Sequence, residues 1–205
     1  KLSATERPYA YAMQWGSMPS TQALTNMMLK GVVARYATSP FRVDGRDYPA
    51  GTILLMRADN RKHPDFDAVV KDVANASVVP FTPIRTGFVE SGKDFGSYDY
   101  ELVRRPKVMA LAGEGVRSLN LGEIWHFFEE ELRYPIDLIE ASEISTVALE
   151  SYNVIVLTEG FGIWTLWISG DIIFVTVFGF VQTLRSLFID AVDSKFIRGF
   201  QDQES

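Results

Sequence analysis

Short apolar runs alternate with amphipathic segments along most of this 205-residue chain. Three of the runs have no polar alternation, which is typical of strands that are buried on both faces of a parallel sheet: TILLM (52–56), VMALA (108–112) and NVIVL (153–157). The segments between them place apolar residues three or four positions apart, as amphipathic helices do. Strand–helix–strand alternation predicts right-handed crossovers and an open, mostly parallel α/β sheet with helices on both faces.

Residues 1–105 are expected to form a small α/β unit. Residues 9–13 are short and apolar, which predicts a strand, and Ser20 or Thr21 is positioned to cap the helix that follows. The dipeptide Asp44-Gly45 indicates a hairpin turn. Pro64 suits the first position of a helix that buries Phe66, Val69, Val70 and Val73.

Two prolines interrupt the next apolar run, residues 78–84, which indicates an edge strand or an extended segment. A long loop rich in Gly, Ser and Asp is then expected over residues 85–99. The two halves of the chain meet near residues 104–107.

Residues 106–205 are expected to form a second α/β unit. In residues 106–131 a buried strand leads through a tight glycine turn directly into a helix, and Asn120 is a candidate N-cap. One face of this helix is predicted to be an apolar stripe of Leu121, Ile124, Trp125, Phe128 and Leu132. After it, IDLIE (136–140) predicts a strand, and a short helix or turn follows before NVIVL.

The tail is almost entirely apolar over residues 161–182. Its length suits a membrane span, which needs about 20 apolar residues. Asp171 stands at its centre, however, and an unpaired carboxylate there is costly. A turn at Ser169-Gly170-Asp171, between a short helix and a buried strand, is therefore the favoured interpretation.

Composition narrows the possible chemistry. The chain is 47% hydrophobic, which suffices for a substantial core, and its formal net charge of −6 without clustered Lys and Arg does not favour a nucleic-acid partner. It has no Cys, which excludes disulfides, thiolate metal sites and Cys nucleophiles, and only two His, His63 and His126.

Residues 113–144 (GEGVRSLNLGEIWHFFEEELRYPIDLIEASEI), and ESYNVIVLTEGFG after them, resemble the C-terminal region of certain bacterial zinc carboxypeptidase-like proteins of the carboxypeptidase A superfamily. In those proteins a region similar to class I glutamine amidotransferases follows the peptidase domain. Residues 45–55 and the segment DFGS (94–97) also fit that region. The resemblance runs from about Tyr9 to Gly162 and then fades, so the C-terminus is expected to be divergent or cut short.

The resemblance implies a flavodoxin-like, amidotransferase-like α/β fold in two units. The zinc of such proteins belongs to the peptidase domain, which is expected upstream of Lys1. The sequence His126-Phe-Phe-Glu129 has the spacing of a zinc motif, but no later His follows it, so we predict no metal site and no cofactor here. The amidotransferase nucleophile is missing as well: Thr176 lies near the corresponding position but has no His to activate it, so we predict no catalytic residue.

The remaining candidate is a ligand pocket at the carboxyl ends of the strands. Gly113-Glu114-Gly115 closes one strand, and Glu159-Gly160 closes the next. In open α/β sheets, ligands bind where such ends meet at a switch point, so Glu114 and Glu159 are expected to face one crevice. The alternative interpretation is that the glycines only allow a strand and a helix to pack closely. A lone Gly-x-Gly does not indicate a nucleotide.

We therefore expect a non-catalytic accessory region of a zinc carboxypeptidase-like protein, in contact with the peptidase domain of the same polypeptide. The resemblance also implies export to the periplasm or the exterior; neither a membrane partner nor a particular oligomer is predicted. Two alternatives stay open: a free-standing hydrolase or transferase that uses carboxylates or Thr176, and a module that binds a small molecule or peptide.

Overall fold

The computed structural model describes residues 7–158 and 173–177. The chain divides into two compact units, Lys1–Val103 and Arg104–Ser205. Each unit contains its own principal sheet, with five strands in the first and four in the second.

The first unit combines nine strands and helices around one antiparallel sheet. Its sheet has the strand order β6-β1-β5-β2-β7, and every neighbouring pair is antiparallel. Strands β3 and β4 form a separate antiparallel hairpin. The bounds are β1 Ala10–Met13, α1 Met18–Leu29, β2 Arg35–Ala37, β3 Phe41–Val43, β4 Arg46–Tyr48, β5 Ile53–Met56, α2 Phe66–Ala76, β6 Phe81–Ile84 and β7 Tyr100–Leu102.

The predicted fold class, open and mostly parallel sheets in both units, is wrong, because the first unit has no parallel pair among its described strands. The molecule is a mixed structure with antiparallel and parallel sheets. The error has a physical origin in β5, whose four residues are all buried. An apolar run indicates only that both faces of a strand are covered. In this unit the covered sheet is antiparallel rather than parallel.

Alternate side chains of the sheet enter two different cores. Tyr11 and Ile53 pack with side chains of helices α1 and α2, whereas Leu54 packs on the opposite face with the hairpin residue Phe41 and with Phe95 of the long loop. This alternation follows from the two-residue period of a strand. The sheet is thus the middle layer of three.

Local sequence explains where helix α1 begins and where the hairpin turns in this unit. Helix α1 begins earlier than predicted: Ser17, not Ser20 or Thr21, is its N-cap, and Ser17 and Ser20 form a reciprocal capping box. The hairpin turn at Asp44-Gly45 is confirmed. Both residues have positive φ, 50° and 70°, as a two-residue type I′ hairpin requires.

An ion pair joins helix α2 to the sheet. Arg57 donates two hydrogen bonds to the Asp67 carboxylate, at 2.9 and 2.7 Å, and the Tyr11 hydroxyl donates a third at 2.8 Å. The hydrogen bonds from Arg57, and then that from Tyr11, hold the pKa of Asp67 below its ordinary value against the opposing effect of burial. The charged form of Asp67 therefore stabilises the folded unit.

We expect Asp67→Asn to lower the free energy of unfolding by about 2 kcal/mol at neutral pH, since hydrogen bonds to charged groups contribute about 1.5–3 kcal/mol. The folded-state pKa is lowered, so this contribution is complete above the ordinary Asp pKa of about 3.9 and is lost as the pH falls through the folded-state value. Urea unfolding of both proteins from pH 7 down to acid should therefore show the difference shrinking below about pH 4.

Asp47→Asn is the matched control. Asp47 also pairs with an arginine, Arg42, at 2.8 Å, but its side chain is 78% exposed against 22% for Asp67. Solvent screens an exposed pair of this kind, so Asp47→Asn should cost much less stability than Asp67→Asn. Equal losses in the free energy of unfolding for the two variants, or a difference that does not change with pH, would contradict the conclusion that the charged form of Asp67 stabilises the folded unit.

The second unit contains a parallel sheet of order β11-β10-β8-β9. The runs VMALA and NVIVL supply β8 and β10, which are adjacent and central as predicted. One face buries Met109, Leu111 and Ile155 beneath two 3₁₀ turns. The bounds are β8 Val108–Ala112, α3 Ser118–His126, a π-helical turn Phe127–Leu132, β9 Ile136–Glu140, 3₁₀ turns Ala141–Thr146 and Leu149–Ser151, β10 Val154–Thr158 and β11 Ile173–Val177.

Helix α3 differs from its prediction at both ends. Its N-cap is Arg117 rather than Asn120, and after His126 the chain widens into the π-helical turn. Of the predicted stripe, Ile124, Phe128 and Leu132 are buried, whereas Trp125 is 44% exposed; Phe127, which was not predicted to face inward, is buried as well. The π-turn has a longer period than 3.6 residues, which fits the added burial of Phe127 within it, whereas Trp125 lies before it in regular α-helix.

The C-terminal predictions fall largely outside the described residues. The expected strand near Thr176 is present as β11, but the turn at Ser169-Gly170-Asp171 lies outside the part of the chain that the structure describes. Among the described residues, no helix has both the length and the apolar character needed to cross a membrane.

Candidate functional site

The carboxyl ends of β8, β9 and β10 meet at one edge of the parallel sheet because neighbouring strands run in the same direction. The strands end at Ala112, Glu140 and Thr158. The loops that follow are therefore the part of this unit where an open parallel sheet binds its ligands. Gly113-Glu114-Gly115 stands at this edge, as predicted from the sequence.

The glycine loop turns sharply between β8 and α3. Gly113 and Gly115 both have left-handed backbone conformations, with φ of 93° and 87°. The Val116 amide donates to the Gly113 carbonyl at 3.2 Å, and α3 begins at Ser118. Glu114, at the tip, is exposed. The loop thus presents a carboxylate to solvent at the edge of the sheet.

Glu140 is a residue of this edge that was not predicted. Its carboxylate lies directly over Gly113, in the space that a β-carbon at position 113 would fill. The left-handed backbone at position 113 already favours a glycine, and the Glu140 carboxylate occupies the space that the missing side chain leaves. The position of Glu140 at the end of IDLIE, the strand next to VMALA, was the sequence signal that could have identified it.

The predicted partner carboxylate is not described. Glu159 and Gly160 lie outside the described residues, so the expected crevice between Glu114 and Glu159 stays a prediction.

The contact between Gly113 and Glu140 predicts a difference between two glycine substitutions. Both Gly113→Ala and Gly115→Ala force a residue with a β-carbon into left-handed backbone, which costs about 1–2 kcal/mol. Only at Gly113 does the new methyl group also overlap Glu140, since nothing lies within 4 Å of a β-carbon at Gly115. We expect Gly113→Ala to destabilise the second unit more than Gly115→Ala, as measured by urea unfolding.

Glu140→Ala provides the control for that comparison. This substitution removes the overlapping carboxylate but leaves the strain in the backbone. Combined with Gly113→Ala, it should reduce the loss in the free energy of unfolding to that of Gly115→Ala. Combined with Gly115→Ala, it should have no effect. Equal losses in the two single glycine variants would show that the Glu140 side chain moves aside without cost.

The two histidines belong to different units. His63 belongs to the first unit, where its Nε2 donates to the Lys30 carbonyl at 2.9 Å, just beyond the end of α1. His126 belongs to α3 of the second unit, where its side chain is 61% exposed and its Nδ1 lies 3.8 Å from Glu131 rather than beside Glu129. The spacing His126-x-x-Glu129 therefore produces no described ligand pair.

No group of three or more His, Asp or Glu side chains in the described part of the chain could hold a metal ion. Thr176 lies within β11, whose backbone alone is described. The predictions of no metal, no cofactor and no catalytic residue stay predictions.

Comparison with known proteins adds no relative. No protein-family model, no curated protein and no solved structure matches this chain.

Proposed function

We propose that this chain is a non-catalytic accessory region of a zinc carboxypeptidase-like protein, in contact with the peptidase domain of the same polypeptide. The observation that carries the proposal is the placement of the two histidines. His63 is bound to a helix end in one unit and His126 faces solvent in the other, and the chain has no Cys. Each unit thus has a single histidine and no thiol in its sequence, which is a poor set of side chains for activating a nucleophile or binding catalytic zinc.

The charged side chains of the first unit support the same proposal. Arg35 donates to both carboxylate oxygens of Asp59, at 2.7 and 3.0 Å, and to the Tyr100 carbonyl at 2.9 Å. Together with the Arg57–Asp67 pair, these contacts hold strands and helix together. A region whose ionic groups are satisfied internally suits a supporting role better than acid–base chemistry.

A binding module is the second candidate, favoured by the exposed Glu114 and by Glu140 over Gly113 at the carboxyl edge of the parallel sheet. Such a module would act without a catalytic group. The sequence resemblance to exported carboxypeptidases extends the first proposal to a periplasmic or extracellular location.

Sequencing the coding region upstream of Lys1 tests the accessory role most directly. We expect an in-frame peptidase region that contains His-x-x-Glu and a later His, the ligand set of such zinc sites. In that longer protein, replacing one of those zinc ligands should abolish peptidase activity, whereas Glu114→Gln should leave it unchanged. An initiator Met or a signal-peptide cleavage site immediately before Lys1 would contradict the proposal.

A further inference from the structure

A cleft lies at the amino-terminal edge of the parallel sheet, where β8 and β9 begin. Its lining combines two cationic side chains, one carboxylate, a buried phenol and two proline rings: Arg105, Lys107, Asp137, Tyr134, Pro106 and Pro135. This is the edge opposite the glycine loop, so the cleft is distinct from the candidate site above. Opposite charges beside apolar walls are the usual composition of a site for a small charged ligand.

Tyr152 does not line the cleft, but it contacts both a cation and the anion of its lining. Its hydroxyl donates to Asp137 at 2.7 Å, while the Lys107 ammonium lies 4.2 Å from the centre of its ring. Lys107 also donates to the Ser151 hydroxyl at 3.1 Å. The hydrogen bond to Asp137, followed by burial, raises the pKa of Tyr152, so its hydroxyl stays a donor at neutral pH. The ammonium and the carboxylate thus both contact the same tyrosine.

Tyr134 fixes the position of the second cation. It is 1% exposed, and its hydroxyl donates to the Pro106 carbonyl. Burial raises the pKa of Tyr134, and a hydrogen bond with the Arg105 side chain acts in the opposite direction. Arg105 therefore lies near a buried phenol, two residues before Lys107 in the segment that leads into β8.

All three charged side chains keep unused hydrogen-bonding capacity. Arg105, Lys107 and Asp137 are exposed. A guanidinium carries five N–H donors and an ammonium three, and a carboxylate accepts at both oxygens. Asp137 uses its Oδ2 for Tyr152, and within the described residues neither Lys107 nor Asp137 forms an ion pair. A ligand with one charge of each sign could satisfy both ends.

We propose that this cleft binds an apolar α-amino acid as its zwitterion. The ligand carboxylate pairs with Arg105 and Lys107, its ammonium pairs with Asp137, and its side chain packs against Pro106 and Pro135. Each charge of the zwitterion thereby gains a charge-assisted hydrogen bond from an oppositely charged side chain of the lining. The inference goes beyond the accessory role and does not depend on it.

Isothermal titration of the full chain with L-leucine, L-leucine methyl ester and N-acetyl-L-leucine tests this assignment. The ester lacks the carboxylate and the acetyl derivative lacks the ammonium. We expect saturable binding of leucine, and binding at least about tenfold weaker for each blocked derivative, since each loses a charge-assisted contact. Absence of saturable leucine binding up to its solubility limit, or equal binding of all three compounds, would overturn the proposal.

Variants assign the two ends of the ligand. Asp137→Asn keeps an acceptor for Tyr152 but removes the charge, so it should weaken leucine binding about tenfold and leave N-acetyl-leucine unaffected. Arg105→Ala should weaken both compounds, whereas Arg61→Ala, which removes an exposed arginine of the first unit, should change neither. Asp137→Asn weakening both compounds equally would refute the assigned orientation.

Discussion

Leu54→Ala is expected to lower the free energy of unfolding of the first unit by about 3 kcal/mol, within the range of about 2–5 kcal/mol for buried leucines. Leu54 is fully buried in the middle of the central strand β5, between β1 and β2. The truncation removes apolar contacts in the core shared with Phe41 and Phe95, and rigid aromatic neighbours fill the resulting cavity poorly. Urea unfolding followed by circular dichroism measures the loss.

Leu102→Ala is the control for that substitution. Leu102 belongs to edge strand β7 of the same sheet, and it is 52% exposed. Removing the same atoms there should cost less than about 1 kcal/mol, because much of the side chain already contacts water. A comparable loss at the two positions would mean that the two-core arrangement of this sheet is wrong.

Expressed alone, the chain is expected to hydrolyse neither the C-terminal residues of peptides nor the amide of glutamine. Carboxypeptidase chemistry needs a metal-activated water, and glutaminase chemistry of the class I type needs a thiolate, which a chain without Cys cannot supply. Any residual rate from binding alone should lie several orders of magnitude below that of a complete site. A carboxypeptidase assay and a glutaminase assay, each run with and without added zinc, measure the two rates.

Carboxylate variants decide what an unexpected rate would mean. If activity exceeded that of a heat-killed sample and Glu114→Gln or Glu159→Gln abolished it, the carboxyl edge of the parallel sheet would be an active site and the accessory role would be wrong. Glu129→Gln is the matched control, since Glu129 is an exposed glutamate of the π-helical turn.

Local signals in the sequence were sufficient where one or two residues determine the backbone. Asp44-Gly45 predicted the hairpin, and the prolines of residues 78–84 predicted the edge strand β6. These predictions succeeded because positive φ and a missing N–H restrict the backbone independently of what packs against it.

Strand direction could not be read from burial. The runs at β5 and β8 are equally apolar, yet one pairs with antiparallel neighbours and the other with parallel ones. The hydropathy pattern indicates which faces of a strand are covered, whereas the direction of the strand depends on the path of the segments that connect it to its neighbours. The burial of Phe127 was missed for a related reason, since a helical period assumed constant does not anticipate the π-helical turn that begins at this residue.

The candidate sites also differ in how much of each could be predicted from the sequence. Sequence order was enough to place Gly113-Glu114-Gly115 after a strand, because the loop is continuous in the chain. The contact of Glu140 with Gly113, and the cleft at the start of β8 and β9, unite residues that are distant in the sequence. Such contacts depend on register, which brings Met109 opposite Asp137 in the sheet and which hydropathy does not determine.

Three outer strands of the two sheets, β6, β7 and β9, disfavour self-association. In the five-stranded sheet, β6 carries Pro83, which has no N–H to offer a further strand, and β7 is only three residues long. At the edge of the parallel sheet, β9 exposes the carboxylates of Asp137 and Glu140. Among the described strands, β6, β7 and β9 are thereby poor templates for the edge-to-edge pairing that begins amyloid-like aggregation.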